Sequence, residues 1–252
     1  MVLLTELVAF TDQYLAVQCK DGCPNGLQVQ GKRKVSKLVS AVSASYAALE
    51  QAVLLQADAL LVHHGYFWRH DDPTIRGLLY NRLSYLMQHQ LSLIAYHLPL
   101  DYHEEVGNNA QLANVMHWNI EGRMPSSCGI DIGLYGVLSA PMTIESLRDD
   151  LAIKLLHTPL VIANDASKQI RRIAWCTGAA GDDIIHAHKL GVDAFITGEI
   201  AERTVHVARE LNIVLFAAGH HATERYGVQA LGKLLSNKYA IEHEFVDIPS
   251  PV

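Results

Sequence analysis

The stretch LQADALLVHHG (Leu55–Gly65) decides how the chain is read, because an apolar run there ends abruptly in two histidines and a glycine. Ala59–Val62 has the continuous apolar character of a strand buried on both faces. Neighbouring side chains on a strand point to opposite faces. Either one of His63 and His64 is incidental, or the strand end belongs to a site that uses both directions.

The same pattern spreads outward from this stretch. Lys37–Ser43 (KLVSAVS) reads as a strand, followed by a helix through ASYAALEQAVLLQ and then by the strand ADALLVHHG. A helix through TIRGLLYNRLSYLMQHQ and a strand at LSLIAYH follow. The second half alternates likewise: IRRIAWCT, VDAFITGE and IVLFAAG as strands, GDDIIHAHKLG, AERTVHVARELN and ATERYGVQALGKLLSN as helices. Strands joined by single helices imply βαβ units, so the predicted class is α/β with mostly parallel sheets.

The halves also resemble one another. LQADALLVHHG matches LGVDAFITGEI (Leu190–Ile200), with an Asp-Ala pair opening each strand and polar residues closing it. About 20 residues later, YHLPLD and AGHHATE each place a histidine four residues before a carboxylate, His97 before Asp101 and His220 before Glu224. These repeats predict an internal duplication into two similar α/β lobes, residues 1–124 and 125–252, divided near Glu121–Ser127.

Composition narrows the function. With 20 Lys plus Arg against 26 Asp plus Glu, the net charge of −6 argues against a surface that coats nucleic acid. Cys19, Cys23, Cys128 and Cys176 show no CxxC spacing and read as reduced thiols of a cytoplasmic protein. The N-terminal stretch MVLLTELVAFTDQYL reads as an amphipathic helix and not as a signal peptide. No apolar run approaches the ~18 residues of a membrane span. The 14 histidines are the outstanding feature, because histidine is the commonest metal ligand.

Strand carboxyl ends are where open α/β sheets bind ligands, and the His63–His64, His97–Asp101 and His220–Glu224 groups all fall there. In the last group His221 is also close enough in sequence to reach Glu224, so spacing alone does not choose between the two histidines. A set of histidines and carboxylates without cysteine suits zinc, iron, manganese or cobalt. Five or more candidate ligands exceed the needs of one tetrahedral catalytic site and match two bridged ions. Glu199, closing the equivalent strand in ITGE, is the candidate general acid or base. No phosphate loop GxxxxGK[ST] is present, and TGAAGDD (Thr177–Asp183) reads as a plain strand-to-helix turn before an anion site. His186 and His188 point apart on their helix, and His103, His117, His157, His206 and His243 read as surface or packing residues.

The motifs PNGLQVQGK, VHHGYFW, HLPLD, GNNAQLA, AWCTG, DAFITGE and AAGHHATERYG, in this order and over the whole chain, closely resemble the dinuclear-metal family of GTP cyclohydrolase I type 2 homologues. These are also called Ngg-interacting-factor-three-like proteins, here in the compact bacterial form. The resemblance implies two α/β lobes facing each other across a metal-containing cleft, and a ring-shaped homohexamer. It implies His63, His64, Asp101, His220 and Glu224 as ligands of two divalent ions (iron, zinc or manganese), with Glu224 bridging. It chooses His220 over His221 and places His97 close by, as a further ligand or a partner behind the ligands. His97 and Glu199 are then the candidate catalytic residues. The implied activity is hydrolysis by metal-activated water attacking a nucleotide or related heterocycle. Two other readings are a non-catalytic metal carrier or regulator acting through protein partners, and a ring around DNA. The last requires basic residues such as Arg33, Lys34, Arg171 and Arg172 on its inner wall, against the acidic balance. Many members carry an Asp-Asn pair before the GLQV loop, where this chain has CPNGLQVQG.

Overall fold

The computed structural model describes residues 1–17 and 21–252. Cys19 therefore lies outside the described residues, and no disulfide joins Cys23, Cys128 and Cys176. Two compact units form, the first from Met1–Val106 and Gly227–Ile248, the second from Gly107–Tyr226 and Pro249–Val252.

The first unit opens with β1 (Val2–Leu3) and α1 (Leu4–Tyr14), which buries Leu4, Leu7 and Thr11 as the amphipathic reading requires. β2 (Gly26–Val29), β3 (Lys34–Val35) and β4 (Lys37–Ser43) follow. Next come α2 (Tyr46–Leu54), β5 (Ala59–His64), α3 (Gly77–Gln88), β6 (Ser92–Ala95) and α4 (Leu98–Tyr102). Ser45 caps α2 by accepting from the Ala48 N–H, satisfying one of the donors a helix start leaves open. β4, β5 and β6 run parallel, and β2 closes the sheet antiparallel to β6.

The period-two alternation of β5 splits its side chains between two cores. Ala59 and Leu61 join one cluster and Leu60 and Val62 the other. All four are fully buried. Each fully buried Leu or Val contributes about 1.5–3 kcal/mol, so a one-residue register slip would be strongly disfavoured.

The second unit contains α5 (Asn108–Met116), β7 (Asn119–Met124), β8 (Gly133–Thr143), α6 (Ile144–Leu155), β9 (Leu160–Ile162) and β10 (Gln169–Cys176). A short 3-10 turn leads to α7 (Ile184–Lys189), then β11 (Ala194–Thr197), α8 (Glu202–Glu210) and β12 (Val214–Ala217). α9 (His220–Tyr239) has its first turns in this unit, and β13 (Glu242–Phe245) returns to the first sheet, parallel to β4. β10, β11 and β12 run parallel, with β8 antiparallel on one side and β9 on the other. No helix among the described residues is long and apolar enough to cross a membrane.

Both units thus share a parallel triple followed by an antiparallel edge strand that precedes the triple's last strand in sequence. Asp58 and Asp193 show the equivalence in detail. The Asp58 carboxylate accepts from the Ser36 and Lys37 N–H groups at 2.8 and 3.1 Å, and that of Asp193 from Arg171 and Arg172, both at 2.9 Å. Each aspartate pins the start of the neighbouring strand.

The division between units differs from the expected 124/125. β7 pairs with β8, and Leu112, Ala113 and Met116 of α5 enter the second core, so the chain changes unit at Val106/Gly107. The C-terminal segment also does not stay with the second lobe, because β13 finds its partner in β4 and Leu231 and Leu235 of α9 pack in a first-unit core.

Candidate metal centre

At the carboxyl end of β5, the two histidines do converge. The last β5–β6 rung is Val62 with Ala95, while His64 still pairs with Ser43. The His63 and His64 ring centroids lie 4.6 Å apart, and His97 lies 5.0 Å from His63 and 5.8 Å from His64. Each of the three rings offers a nitrogen within 4.8 Å of the others. His63 is fully buried, and its Nδ1 lies 2.9 Å from the Tyr96 carbonyl. A carbonyl only accepts, so Nδ1 is the donor there and Nε2 is the nitrogen left for other partners. That Nε2 faces Asp101 Oδ1 at 3.4 Å, on a buried carboxylate. A ring nitrogen and a carboxylate oxygen so placed can share a cation, a proton or a metal ion. The Nδ1 of His64 lies 3.0 Å from Ser43 Oγ.

His97 is held from behind. Its Nδ1 donates to Asp21 Oδ1 at 2.7 Å, and its backbone N–H to Asn25 Oδ1 at 2.7 Å. Asp21 also accepts from Asn25 Nδ2 and the Leu98 N–H. Burial alone would raise the Asp21 pKa, but the hydrogen bond and charge of His97, with those other donors, hold it well below the carboxylate range. A carboxylate on the far nitrogen is how proteins orient histidines that bind metal. Cys23 joins Asp21 and His97 in a further donor group, but burial, and then the Asp21 charge, pushes its thiol up to about 12. Asp21 and Asn25 were not legible from spacing. Here Asn25 sits directly before β2, and Asp21 supplies the carboxylate behind His97.

In the second unit His220 lies on Glu224, with Nε2 to Oε2 3.1 Å and Glu224 buried. The other ring nitrogen of His220 lies 3.4 Å from Glu199, an exposed carboxylate. Burial opposes a charged His220, yet the hydrogen bond and charge of Glu224, with Glu199, push its pKa up to about 9. The pair therefore attracts a cation strongly enough to hold a proton at neutral pH.

Glycines end the parallel strands beneath this pair. The Gly178 carbonyl accepts from the Gly198 and Glu199 N–H groups, and the Gly198 carbonyl from the Gly219 N–H. Gly178 has φ +69°, and a Cβ there would collide with the Glu224 carboxylate and come within 3.1 Å of His220 Nε2. The loop is fixed by the Gly178 N–H on Thr223 Oγ1 and by Asn109, which accepts from the Thr177 N–H and the Trp175 indole. In the TGAAGDD turn the Gly178 and Ala180 N–H groups donate to the Thr223 and Thr197 hydroxyls.

The two His-x-x-x-carboxylate motifs are not residue-for-residue repeats. Ser92 and Val214 occupy equivalent rungs, so His97 corresponds to Gly219, and His220 lies one residue further on. The remaining histidines follow the packing reading where their surroundings are described. The His103 ring lies tilted against Tyr14, His157 lies against Gly219, and His243 reaches Ser40 Oγ at 2.8 Å. Arg172 is engaged by Glu121 at 3.2 Å.

A family model described as Duf34/NIF3 (NGG1p interacting factor 3) matches residues 2–251. A Pseudomonas aeruginosa protein named GTP cyclohydrolase 1 type 2 homolog is 49% identical over 251 residues, 99% of each chain. The solved structure of protein ybgI, titled as of unknown function, is 42% identical with a TM-score of 0.95 over 100% of both chains. TTHA1606 from Thermus thermophilus is 33% identical with a TM-score of 0.87, again over 100% of both.

Proposed function

The chain belongs to the Duf34/NIF3 family, and on that premise we propose that it is a cytoplasmic hydrolase dependent on two divalent metal ions. Its reaction is of the GTP cyclohydrolase type 2 kind, on a nucleotide or related heterocycle. His63, His64, Asp101, His220 and Glu224 hold the metal, which is iron, zinc or manganese. The observation that carries this reading is the pair of buried carboxylates, each facing a histidine Nε2, at 3.4 Å for His63–Asp101 and 3.1 Å for His220–Glu224. The glycine at 178, where any Cβ would fill the space at His220 and Glu224, supports it further.

Bound divalent ions supply Lewis acidity and lower the pKa of water toward neutrality. The chain's own residues supply proton handling and orientation. Glu199 is exposed and 3.4 Å from His220, so its carboxylate is open to solvent and is the candidate acceptor. His97, with Nδ1 committed to Asp21, presents Nε2 as a base or further ligand.

Elemental analysis of natively purified protein tests the reading, together with turnover of GTP and a nucleotide and pterin panel. Two equivalents of metal in the wild type are expected, with metal and turnover lost in Glu224→Ala. Glu224→Ala retaining the full metal content would refute the ligand assignment. A metal-loaded protein that turns over nothing in the panel would replace the hydrolase with a metal carrier or regulator. We propose in addition that the chain assembles as a ring-shaped hexamer. Sedimentation at a mass other than six times the 27.8 kDa protomer overturns that.

A further inference from the structure

Next to the histidine group, in the first unit, lies a cavity of about 450 Å³ whose walls include Tyr66, Phe67, Trp68, Leu79 and Arg82. That volume falls within the range of small-molecule sites. Trp68 joins the cavity to the histidines, its ring edge-on to His97 at 4.9 Å and 6.2 Å from His64.

The aromatic wall is built rigidly. The Gln28 side-chain amide accepts from the Tyr66 N–H and donates to the Tyr66 carbonyl, and the Tyr66 hydroxyl donates to the Ala44 carbonyl. A Cβ at Gly65 would collide with that same amide. Phe67 is held at φ +64°, a left-handed conformation that disfavours a bulky side chain. Such strain persists only where the surroundings impose it, and it clusters at functional sites.

The charges are unevenly committed. Asp72 is paired with Arg76 at 2.7 Å on the exposed rim, and Asp71 accepts from the Trp68 N–H. Arg82 is half-buried, its guanidinium 5.4 Å from the Tyr66 ring centroid. Its Nε is buried with no hydrogen-bond partner among the described residues. A guanidinium with no carboxylate partner among the described residues, over an aromatic ring, suits bidentate pairing with a carboxylate or phosphate.

We propose that this cavity binds the body of the substrate, a planar aromatic ring bearing an acidic group, with the ring against Tyr66–Trp68 and the acid on Arg82. The proposal rests on the hydrolase reading above for the chemistry, but ligand binding is separable from metal content.

Trp118 and Trp175 are buried in the second-unit core, so ligand quenching of tryptophan fluorescence reports chiefly on Trp68. Probes are GMP and pterin-6-carboxylate, with guanosine and pterin as their neutral counterparts and ribose 5-phosphate as acid without ring. Both metal-loaded and chelator-treated protein are titrated. The acids should bind at least tenfold tighter than their counterparts, and whichever of the two binds tighter identifies the acid as phosphate or carboxylate. Arg82→Ala should weaken them on the order of ten- to a hundredfold while leaving metal content and guanosine binding unchanged. Arg82→Lys should recover part of the loss. Equal binding of acid and neutral probes, or Arg82→Ala without effect in a folded protein, overturns the proposal. Cavity binding by a wild type that takes up no metal would instead overturn the metal-ligand assignment alone.

Discussion

Gly178 and Gly191 form an internal experiment on the second-unit donor pair. Both have left-handed backbones, φ +69° and +66°, but a Cβ at Gly191 would meet nothing within 4 Å, whereas at Gly178 it would overlap the Glu224 carboxylate. Replacing either by alanine carries the left-handed penalty, about 1–2 kcal/mol. For a chain of this size each kcal/mol lowers Tm by about 2–4 °C. Gly191→Ala should therefore lower the Tm of metal-free protein by about 2–8 °C and leave metal binding as in the wild type. Gly178→Ala adds overpacking of about 1–3 kcal/mol, because the Gly178 loop is tied to Thr223, Gly198 and Glu199 and cannot move aside freely. It should melt lower still, and displacement of Glu224 and His220 should weaken metal at least tenfold, as disturbed ligand support does. Calorimetry of the chelated proteins and metal titration of both variants check this. If Gly178→Ala binds metal as tightly as Gly191→Ala does, the pair beside Gly178 does not hold the ion.

Asp21→Asn should weaken metal binding about 10–100-fold in titration calorimetry with little change in fold, because it removes the negative charge 2.7 Å from His97 Nδ1 and one of the two acceptor oxygens. Wild-type affinity would exclude Asp21 from the site. Burial would raise the Asp58 pKa, but hydrogen bonds from Lys32, Ser36 and Lys37 lower it overall. Its stabilisation is thus complete above the ordinary carboxylate range and lost as pH falls through the depressed folded value. The stability gap between wild type and Asp58→Asn, about 1–2 kcal/mol, should be flat from about pH 8 to 5 and shrink below about pH 4. A gap that grows on acidification would reverse the sign. Gln28→Ala should speed amide exchange at Tyr66 by at least tenfold, since it strips both hydrogen bonds that clamp that peptide. Unchanged exchange would show the turn is held by other contacts.

The parallel strands were legible because their signal is local. Lys37–Ser43 is β4 at its full length, and Asp58 and Asp193 keep one role in both units. Edge strands are different. β2 in GLQV and β13 in EHEF are four residues each, neither fully buried, and exist through partners distant in sequence, β6 and β4. The unit boundary was misplaced for the same reason. It depends on α5 and β7 choosing the second core, and short amphipathic segments do not encode their partners.

The histidine and carboxylate groups were legible where chemistry is dense, and their supports were not. Adjacent histidines after an apolar strand are conspicuous, whereas Asp21, Asn25 and Gln28 are ordinary polar residues until folding sets them against His97 and Tyr66. Register shows how far the two units have diverged. Where the first unit has His63 and His97 at its strand ends, the second has Gly198 and Gly219. A glycine lets backbone and helix approach closely, and here it admits His220 and Glu224 from the first turns of α9. One unit thus places its donors on the strand ends and the other clears its strand ends to receive donors from a helix. That difference is why the matching His-x-x-x-carboxylate spacing, which looked like a repeat, is an equal answer reached from positions one residue apart.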